Sequence, residues 1–524
     1  MSNQDAFLSV GRILRVSAQK YARHSCLEFE DRSYSFAELN AQVNAVARQF
    51  QRHGLVNGDR VFMLSENSPG YVRALFAVSK CGLVAMPANA MLTAADIAGL
   101  LDLSAPRHVV VGASYLPKVL QALSASKQSR DLPVTVLHRD DRMTGSDGQT
   151  ADIVADSLAD SSEPVPHRPV RDDDPGIILF TSGSTGTPKG IVKSVRSLAW
   201  SAINHQISEP RRNGDRESFC LALAGIAFAN FVVLDVMTGA TCVLEPQFKP
   251  DRLARTLATR GITHIFIAPT MIAAIARDLP GATFPALRVV ETSFEFPLSL
   301  RQQAVRMFPN AHVLWSFGST EATMARTPFE YLLTDVSCVG YPGGLDEYRI
   351  SPDDIDEDGV GEVQSYGPTV MTGYLTTADD EVSARRGVRP DGWFETGDRG
   401  WLGSDHELHF SGRVKDMIKT GGANVFANEV ESVLVEHQSV RDAAVLGLSD
   451  NYWGEIVAAV LEVADPAAFD LDDIRRFATE RLADFRRPKV YFLLSDLPKN
   501  PTGKIAKGQL RADIMDGTLA ARTG

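Results

Sequence analysis

The amino-acid sequence predicts an α/β protein with a large N-terminal layered domain of β-sheets and flanking helices and a small C-terminal α+β domain. Three observations favour this fold class. The chain has 524 residues, more than a single hydrophobic core usually serves. Helical patterns alternate with short apolar runs along most of its length. Near Gly412 this alternation gives way to a tail of short strands and helices.

The first strongly patterned element is an amphipathic helix at residues 36–51. Its apolar positions recur at helical spacing, and Ser35 with Glu38 forms a capping box at its start. A turn at Gly58-Asp59 precedes an apolar strand at residues 61–64. Further short apolar runs are predicted to be strands at residues 107–111, 134–137, 177–180, 265–268 and 287–290. The Asp-, Ser- and Pro-rich residues 124–175 are predicted to form mainly surface loops.

Residues 221–244 are apolar enough to suggest a membrane segment, but Asn230 and Asp235 interrupt them. An unpaired carboxylate is costly inside a bilayer, so a buried core element is predicted and membrane insertion is not. The five scattered cysteines form no CxxC pair and are expected to be buried, reduced thiols. Residues 1–5 lack the pattern of a secretory signal, which favours a cytoplasmic protein.

The charge balance argues against a nucleic-acid partner. The net charge is −12 with 44% hydrophobic and 23% charged residues, and the pI is about 5.5. Such a chain is not expected to present a broad basic surface. A polyphosphate site would have to be built locally from a few cations and backbone amides.

The C-terminal tail is predicted to begin at Lys415, giving domains 1–414 and 415–524. A helix is expected at residues 429–436, with Asn428 as its N-cap and Glu431 close to a capping box. The remaining predicted elements are strands at residues 443–448 and 456–463, a helix at 472–483, a strand at 490–494 and a final helix at 506–515.

The most informative stretch lies between two apolar strands, which predicts a strand–loop–strand hairpin. Its ten residues are Thr181, Ser182, Gly183, Ser184, Thr185, Gly186, Thr187, Pro188, Lys189 and Gly190. Backbone amides and hydroxyls of such a loop can surround phosphate oxygens, and the lysine adds a cation. The loop is not a Walker sequence. A flexible linker is the alternative interpretation.

This loop resembles the phosphate loop of the adenylate-forming superfamily, which includes acyl-CoA synthetases. Five later motifs follow in the family's order. The first three are residues 317–321, then Gly361-Glu362-Val363 together with Gly367 and Gly373-Tyr374, then Thr396-Gly397-Asp398. The last two are residues 412–419 together with Gly422 and Glu429-Val430-Glu431, and finally residues 500–504. The glycine pair Gly421-Gly422 and the C-terminal tail resemble those of the acyl-CoA synthetase branch. The resemblance covers nearly the whole chain.

The resemblance implies an ATP-dependent acid–thiol ligase, with ATP, Mg²⁺ and coenzyme A as its cofactors. Glu321 would hold Mg²⁺ and Thr320 would contact the α-phosphate. Asp398 would accept hydrogen bonds from the ribose hydroxyls with help from Arg413. Lys504 would bridge the substrate carboxylate and the α-phosphate. The other residues implied at the nucleotide are Ser293, Phe294, Glu295, Ser316, Phe317, Gly318 and Ser319. Catalysis of this kind consists mostly of positioning and charge neutralisation.

The resemblance also implies a second half-reaction, in which a thiol reaches the acyl-AMP carbonyl. The small C-terminal domain would swing about a hinge at Lys415. Residues implied to line the coenzyme A tunnel are Lys419, Gly421, Gly422 and Ala423. Glycines suit such a tunnel because side chains would obstruct a slim thiol arm.

Three departures from the family pattern concern the acid. Relatives carry small glycines where this chain has residues 293–298, with Phe294 and Phe296. An acyl-pocket histidine is replaced by the segment that contains Ala224, Gly225 and Phe228, and Val195 stands where another histidine is common. Drift in core packing is one interpretation. The other is a pocket for a hydrophobic aryl, alicyclic or acyl acid, which would suit secondary metabolism.

Several functions stay open at this point. The first is a complete acyl-CoA synthetase that acts on a small-molecule carboxylic acid. Alternatives are a ligase that loads a separate carrier protein, a specialist for thioesterification alone, and a nucleotide-binding regulator without turnover. A homodimer is also left open.

Overall fold

A computed structural model of the protein describes residues 8–138, 142–145, 150–152, 170–181, 189–294, 296–322, 325–375, 387–421, 423–499 and 505–521. The chain divides into two compact units. The first comprises Met1–Tyr348 and Ser365–Phe394, and the second comprises Arg349–Gln364 and Glu395–Gly524. The predicted mixed α/β class with a larger N-terminal and a smaller C-terminal part is confirmed.

The helices of the described residues are numbered in chain order. They are α1 (Val10–Lys20), α2 (Phe36–Arg52), α3 (Pro69–Lys80), α4 (Ala94–Ser104), α5 (Leu116–Ala125), α6 (Val195–Ser208), α7 (Val233–Thr238), α8 (Pro250–Thr259), α9 (Pro269–Asp278), α10 (Leu298–Met307), α11 (Ala427–Leu434), α12 (Leu471–Arg481) and α13 (Lys507–Met515).

The strands are β1 (Ser25–Phe29), β2 (Arg32–Ser35), β3 (Arg60–Leu64), β4 (Val84–Pro87), β5 (His108–Gly112), β6 (Val134–Leu137), β7 (Arg142–Gly145), β8 (Thr150–Asp152), β9 (Pro175–Thr181), β10 (Lys189–Ser194), β11 (Arg216–Phe219), β12 (Thr241–Leu244), β13 (His264–Phe266), β14 (Val289–Ser293), β15 (His312–Phe317), β16 (Ala325–Arg326), β17 (Cys338–Pro342), β18 (Glu347–Ile350), β19 (Gly361–Tyr366), β20 (Gly373–Leu375), β21 (Phe394–Leu402), β22 (Leu408–Arg413), β23 (Met417–Thr420), β24 (Ala423–Phe426), β25 (Val440–Asp450), β26 (Gly454–Val463) and β27 (Val490–Leu494).

Two sheets organise the first unit. One has the strand order β20-β10-β9-β4-β3-β5-β6-β7-β8, with a parallel centre and antiparallel pairs at both ends. The other runs β17-β16-β15-β14-β13-β11-β12-β1-β2, and its strands from β15 to β1 are parallel. Parallel centres require helical crossovers that cover the sheet faces, which explains the alternation seen in the sequence.

Helix α2 illustrates how local sequence sets an element. The Ser35 side chain accepts a hydrogen bond from the Glu38 backbone N–H, and the Glu38 carboxylate accepts one from the Ser35 N–H, so the predicted capping box is confirmed. Its apolar stripe, including Leu39, Val43 and Phe50, is fully buried in the main core of the first unit. The capping box gives two backbone N–H groups at the start of the helix an acceptor, and this together with the burial of one face stabilises the helix.

The second unit contains an antiparallel pair, β21 with β22, and a separate sheet of the order β24-β23-β26-β25, with β27 parallel to β26. Helices α11 and α12 pack on one face of that sheet through Val430, Leu434 and Ile474. The opposite face carries Phe492 and Leu510. The predicted tail elements are therefore present, with bounds that differ by a few residues.

Two local predictions are wrong. Asn428 is not the N-cap of α11, because the helix already begins at Ala427 and its cap position, Phe426, makes no side-chain capping bond. Glu431 bonds elsewhere: its carboxylate accepts from the Val445 N–H at 2.6 Å. Residues 124–175 are also not only loops, since β7 and β8 extend the edge of the sheet beyond the predicted β6.

Residues 221–244 form a buried element, as predicted. They include a π-helical turn at Phe228–Val232, helix α7 and strand β12, and Asp235 is buried near Arg211. No helix in the described part of the chain combines the length and apolarity needed to cross a bilayer. All five cysteines are buried free thiols, which confirms that prediction.

Candidate active site

The predicted strand–loop–strand hairpin is confirmed. Strands β9 and β10 pair in antiparallel fashion, with Lys189 opposite Thr181 and Ile191 opposite Leu179. Thr181 and Lys189 therefore stand at the two ends of the loop. The loop residues Ser182, Gly183, Ser184, Thr185 and Gly186 lie outside the described residues.

The hairpin brings Lys189 to the motif residues Glu321 and Tyr374. The Tyr374 hydroxyl donates to Glu321 Oε1 at 2.9 Å, and Lys189 Nζ lies 5.0 Å from the Tyr374 ring centroid. Strand β20 places Tyr374 beside Ile191 of β10. Partial burial and the Glu321 charge raise the pKa of Tyr374, so the phenol stays a protonated donor. Three residues far apart in sequence thus form one polar cluster.

The backbone around Glu321 is fixed by the same segment. The Met371 N–H donates to the Glu321 carbonyl at 2.7 Å, and the Thr372 N–H donates to the Val192 carbonyl at 2.8 Å. The turn that carries Gly318, Ser319 and Thr320 leads from β15 into Glu321. The Ser319 hydroxyl accepts a hydrogen bond from the Ala322 N–H at 3.3 Å, which closes this turn.

Two predicted nucleotide residues meet at the carboxyl ends of neighbouring parallel strands. Ser293 ends β14 and lies opposite Ser316, next to the last residue of β15, Phe317. Ligands of open α/β sheets bind beyond such strand ends. Glu295 lies outside the described residues. Ser293 and Ser316 therefore lie together at these strand ends, and their place beside the nucleotide stays a prediction.

In the second unit, the carboxylate of Asp398 is held by Arg413. The two residues face each other across β21 and β22, and Arg413 Nε lies 3.0 Å from Asp398 Oδ1. Asp398 is 3% exposed, whereas the Arg413 side chain is 40% exposed.

The motif around Glu362 is hydrogen-bonded to the residues that precede Asp398. The Gly397 N–H donates to Glu362 Oε1 at 3.1 Å, and the Thr396 hydroxyl donates to the Val363 carbonyl at 2.7 Å. Three motifs that are separate in sequence, at residues 361–363, 396–398 and 412–413, are therefore adjacent within the second unit.

The predicted tunnel residue Gly421 occupies a backbone conformation that favours glycine. Its φ is +56°, and a Cβ there would lie 2.6 Å from the Trp453 ring. Its N–H donates to the Trp453 carbonyl at 2.9 Å. Lys419 lies on β23 opposite Asn424, and Ala423 begins β24. A side chain at Gly421 would be excluded both by strain and by contact.

Further residues of the predicted site, in the small C-terminal domain, are described only in part or not at all. Gly422 and Lys504 lie outside the described residues, and of Lys415 only the backbone is described, in the short helical turn Val414–Asp416. The hinge at Lys415 and the domain boundary at 414/415 stay predictions.

Comparison with known proteins identifies the family. The model of the AMP-binding enzyme family matches residues 14–375, and the model of its C-terminal domain matches residues 429–504. The chain belongs to the AMP-binding enzyme family. The predicted membership of the adenylate-forming superfamily, in its acyl-CoA ligase branch, is confirmed, and the protein is an enzyme.

Relatives of this AMP-binding enzyme are named as CoA ligases. It is 30% identical over 91% of its length to the long-chain-fatty-acid–CoA ligase FadD13 of Mycobacterium tuberculosis, covering 92% of that protein. It is 28% identical to the feruloyl-CoA synthase of Amycolatopsis, covering 91% of this chain and 93% of the relative. Its structure is similar to ATP-bound MatB of Rhodopseudomonas palustris, with a TM-score of 0.82, 25% identity and coverage of 98% and 99% of the two chains.

The electrostatic setting of Glu321 in this AMP-binding enzyme suits a bound cation. Among the described residues it forms no ion pair within 4 Å, and its hydrogen-bond donor is the neutral Tyr374 hydroxyl. Within the described ranges no cluster of three or more His, Cys, Asp or Glu could hold a metal. Mg²⁺ often binds through one or two carboxylates and substrate phosphates. Glu321 fits that mode of binding.

A buried ion cluster lies behind Ser316, and sequence reasoning missed it. The Ser316 hydroxyl donates to Glu291, and Arg326 Nε and His205 Nε2 lie 3.5 and 3.6 Å from Glu291 Oε1. Burial alone would raise the pKa of Glu291, but Arg326 and His205 hold it well below its usual range. A glutamate within the apolar run of β14 was the one sequence signal.

Lys193 is the second residue that sequence reasoning missed. It lies on β10 four residues after Lys189, is 2% exposed, and donates to the Thr369 carbonyl at 2.6 Å. Burial lowers its pKa to about 8, although the charges of Asp346 and Glu321 act in the opposite direction. The sequence shows a lysine in a short strand, which is usually exposed.

The residues predicted for the acyl pocket differ in their surroundings. Phe296 is 3% exposed. Phe228 is also buried, with its ring packed edge-on against Phe76 at 5.2 Å, whereas Ala224 and Gly225 are partly exposed. Phe228 therefore belongs to the main core of the first unit.

Phe294 differs from its predicted neighbours in both exposure and backbone conformation. It is 42% exposed and has a φ of +73°, a region that costs a residue with a side chain about 1–2 kcal/mol. The Trp315 indole N–H donates to its carbonyl at 2.8 Å, which holds this conformation.

Proposed function

We propose that this enzyme activates a hydrophobic carboxylic acid with ATP to form acyl-AMP, and then transfers the acyl group to coenzyme A. The observation that carries the proposal is the cluster of Lys189, Glu321 and Tyr374 at the end of the β9–β10 hairpin. It combines a cation at the end of strand β10, where the loop of residues 182–188 joins it, with a carboxylate that forms no ion pair within 4 Å among the described residues. Such a set suits a nucleotide triphosphate with its divalent cation.

In the first half-reaction, an oxygen of the substrate carboxylate attacks the α-phosphorus of ATP, and the bond to the β-phosphate oxygen breaks to release pyrophosphate. Two anions must approach each other, so the protein's task is positioning and charge neutralisation. We assign Lys189 and the loop residues to the phosphates and Thr320 to the α-phosphate. Lys504 is assigned to the contact between the carboxylate and the α-phosphate.

Glu321 would hold Mg²⁺, and the bound ion would neutralise phosphate charge. Tyr374 orients the Glu321 carboxylate by donating to one of its oxygens. Asp398 would accept hydrogen bonds from the ribose hydroxyls, and Arg413 fixes the orientation of that carboxylate.

In the second half-reaction, the thiol sulfur of coenzyme A attacks the acyl carbonyl, and AMP leaves with the electron pair of the broken C–O bond. We propose that the domain 415–524 turns about Lys415 between the two steps. Residues 419–423 would then line the path of the thiol arm. At Gly421 only glycine fits, because its φ is +56° and a side chain there would collide with Trp453.

The preference for a hydrophobic acid is supported by the composition of the proposed acyl segment. Phe296 is buried, and Ala224 and Gly225 are small and partly exposed. The relatives named for long-chain fatty acids and for feruloyl-CoA also favour an apolar carbon skeleton. We further propose that the enzyme acts in the cytoplasm.

The experiment is a pyrophosphate-release screen over diverse carboxylic acids with ATP and Mg²⁺, followed by mass spectrometry of reactions that contain coenzyme A. The proposal expects acid-dependent pyrophosphate and an acyl-CoA thioester of matching mass. No pyrophosphate with any acid would contradict activation. Acyl-AMP that accumulates without a thioester would contradict coenzyme A as the acceptor, and carrier proteins would then be tested.

A further inference from the structure

The side chain of Lys193 is buried with few protein partners. It is 2% exposed, and its one hydrogen bond in the described part of the chain goes to the Thr369 carbonyl. No ion pair joins it to a described carboxylate within 4 Å. An ammonium group has three N–H donors, and a buried charge is costly unless it is paired. A ligand atom would supply the missing partner.

Lys193 lines a small cavity whose wall carries both polar and apolar side chains. The other polar lining residues are Ser201, Asn230, Ser319 and Thr369, and Ile226 and Ala322 complete the wall. Asn230 is 5% exposed, and its side-chain amide makes no hydrogen bond to a described residue. Two buried side chains with unused donors therefore face the same space.

The cavity borders the proposed acyl-pocket segment. Ile226 follows the proposed acyl-pocket residues Ala224 and Gly225, and Ala322 follows Glu321. Asn230 sits in the π-helical turn Phe228–Val232, a distortion that occurs frequently at functional sites. The cavity is thus bounded on one side by the proposed acyl segment and on the other by the proposed phosphate-binding motif.

We propose that the acid this enzyme activates carries an oxygen acceptor on its acyl chain, which binds Lys193 Nζ and the Asn230 amide inside this cavity. The acceptor is a carbonyl, a hydroxyl or a second carboxylate on an otherwise apolar skeleton. This inference rests on the proposed function, which it narrows from hydrophobic acids in general. A site with buried donors discriminates strongly against analogues that lack the acceptor.

A purely structural role is the competing explanation. Asp346 and Glu321 are close enough to act on the Lys193 charge. However, Asp346 is already engaged by Asn204 and by the Thr369 hydroxyl at 3.0 Å. Neither residue explains why the amide of Asn230 has no hydrogen-bond partner among the described residues in the same cavity.

The test compares matched acids: octanoate with 7-oxooctanoate, 8-hydroxyoctanoate and octanedioate, and the corresponding sets from butanoate to decanoate. Pyrophosphate release gives kcat/KM for each acid with wild type, Lys193→Met, and Lys127→Met as an exposed control. The kcat/KM of at least one oxygenated acid should exceed that of its apolar partner by about tenfold or more. Lys193→Met should remove that preference and leave the kcat/KM of the apolar acid within about threefold of the wild-type value.

Two further variants distinguish between the possible acceptors and provide a second test of the cavity. Lys193→Gln should keep a preference for a carbonyl or hydroxyl and lose one for a second carboxylate. Asn230→Leu should also reduce the preference for the oxygenated acid. This variant replaces Lys193→Met in the test if Lys193→Met does not fold. Equal loss for both members of each pair, or no preference for any oxygenated acid, would overturn the inference. The proposed function would still stand in that case, because it fails only if no acid releases pyrophosphate.

Discussion

Glu321 in the first unit and Asp398 in the second are both carboxylates of the proposed nucleotide site, yet they are held by opposite kinds of partner. Glu321 accepts a hydrogen bond from the neutral Tyr374 hydroxyl, whereas Asp398 is paired with the Arg413 guanidinium. The first keeps a charge that a divalent cation can use. The second has its charge compensated and can accept hydrogen bonds from neutral hydroxyls. We propose that this difference in partner suits Glu321 to a metal ion and Asp398 to the ribose hydroxyls.

The largest effect is expected from Glu321→Gln. The amide oxygen can still accept from Tyr374, but the charge for Mg²⁺ is lost, so acid-dependent pyrophosphate release should fall by about 10²- to 10³-fold. The Mg²⁺ concentration for half-maximal rate should rise. The same substitution at the exposed Glu330 is the control. An unchanged Mg²⁺ dependence would contradict the proposed role of Glu321.

Asp398→Asn is expected to act on the nucleotide rather than on the metal. Loss of charged hydrogen bonds to the ribose should raise the KM for ATP by about 10- to 100-fold, with a smaller change in kcat. Wild type should discriminate against 2′,3′-dideoxy-ATP, and the variant should not. Asp405→Asn, at an exposed position, should behave as wild type. Retained discrimination in Asp398→Asn would show that the ribose binds elsewhere.

Tyr374→Phe removes only the neutral hydroxyl that donates to Glu321. The ring remains beside Lys189, but Glu321 loses the hydrogen bond that orients it, which is worth about 1.5 kcal/mol for a charged acceptor. Pyrophosphate release at subsaturating Mg²⁺ should fall by about tenfold, and saturating Mg²⁺ should restore part of the rate. A loss as large as that of Glu321→Gln would mean that Tyr374 contacts the substrate itself.

The smallest effect concerns left-handed backbone, which one residue of each unit illustrates. Gly397 of the second unit has a φ of +72°, and Phe294 of the first unit has a φ of +73°. Phe294→Gly should raise the free energy of unfolding by about 1 kcal/mol, and Gly397→Ala should lower it by a similar amount. Thermal or denaturant unfolding checks both, and a destabilised Phe294→Gly would show that the ring contributes more than the strain costs.

Most of the architecture could be predicted because apolar periodicity and turn residues report directly on strands and helices. The hairpin of the phosphate loop and the capping box of α2 depend on nearby residues alone. Strands β7 and β8 were missed because they are short and polar. The N-cap of α11 was misplaced because Glu431 is engaged by the Val445 N–H, a tertiary partner that local rules cannot include.

The polar interior of the candidate site could not be predicted. Lys193 is buried because Thr369, far along the chain, lies against it. Glu291 is tolerated in a core strand because Arg326 and His205 approach it. In both cases the sequence gives the residue type but not the distant partner. The motif residues were found because their order in the chain is itself informative.

The most direct test of activation followed by transfer separates the two half-reactions in Lys504→Ala. The variant is supplied either with acid, ATP and Mg²⁺, or with synthetic acyl-AMP and coenzyme A. Acid-dependent pyrophosphate release should fall by about 10²-fold or more, while thioester formation from acyl-AMP should stay within a few-fold of wild type. Equal loss of both reactions would contradict the assignment of Lys504 to the first step alone.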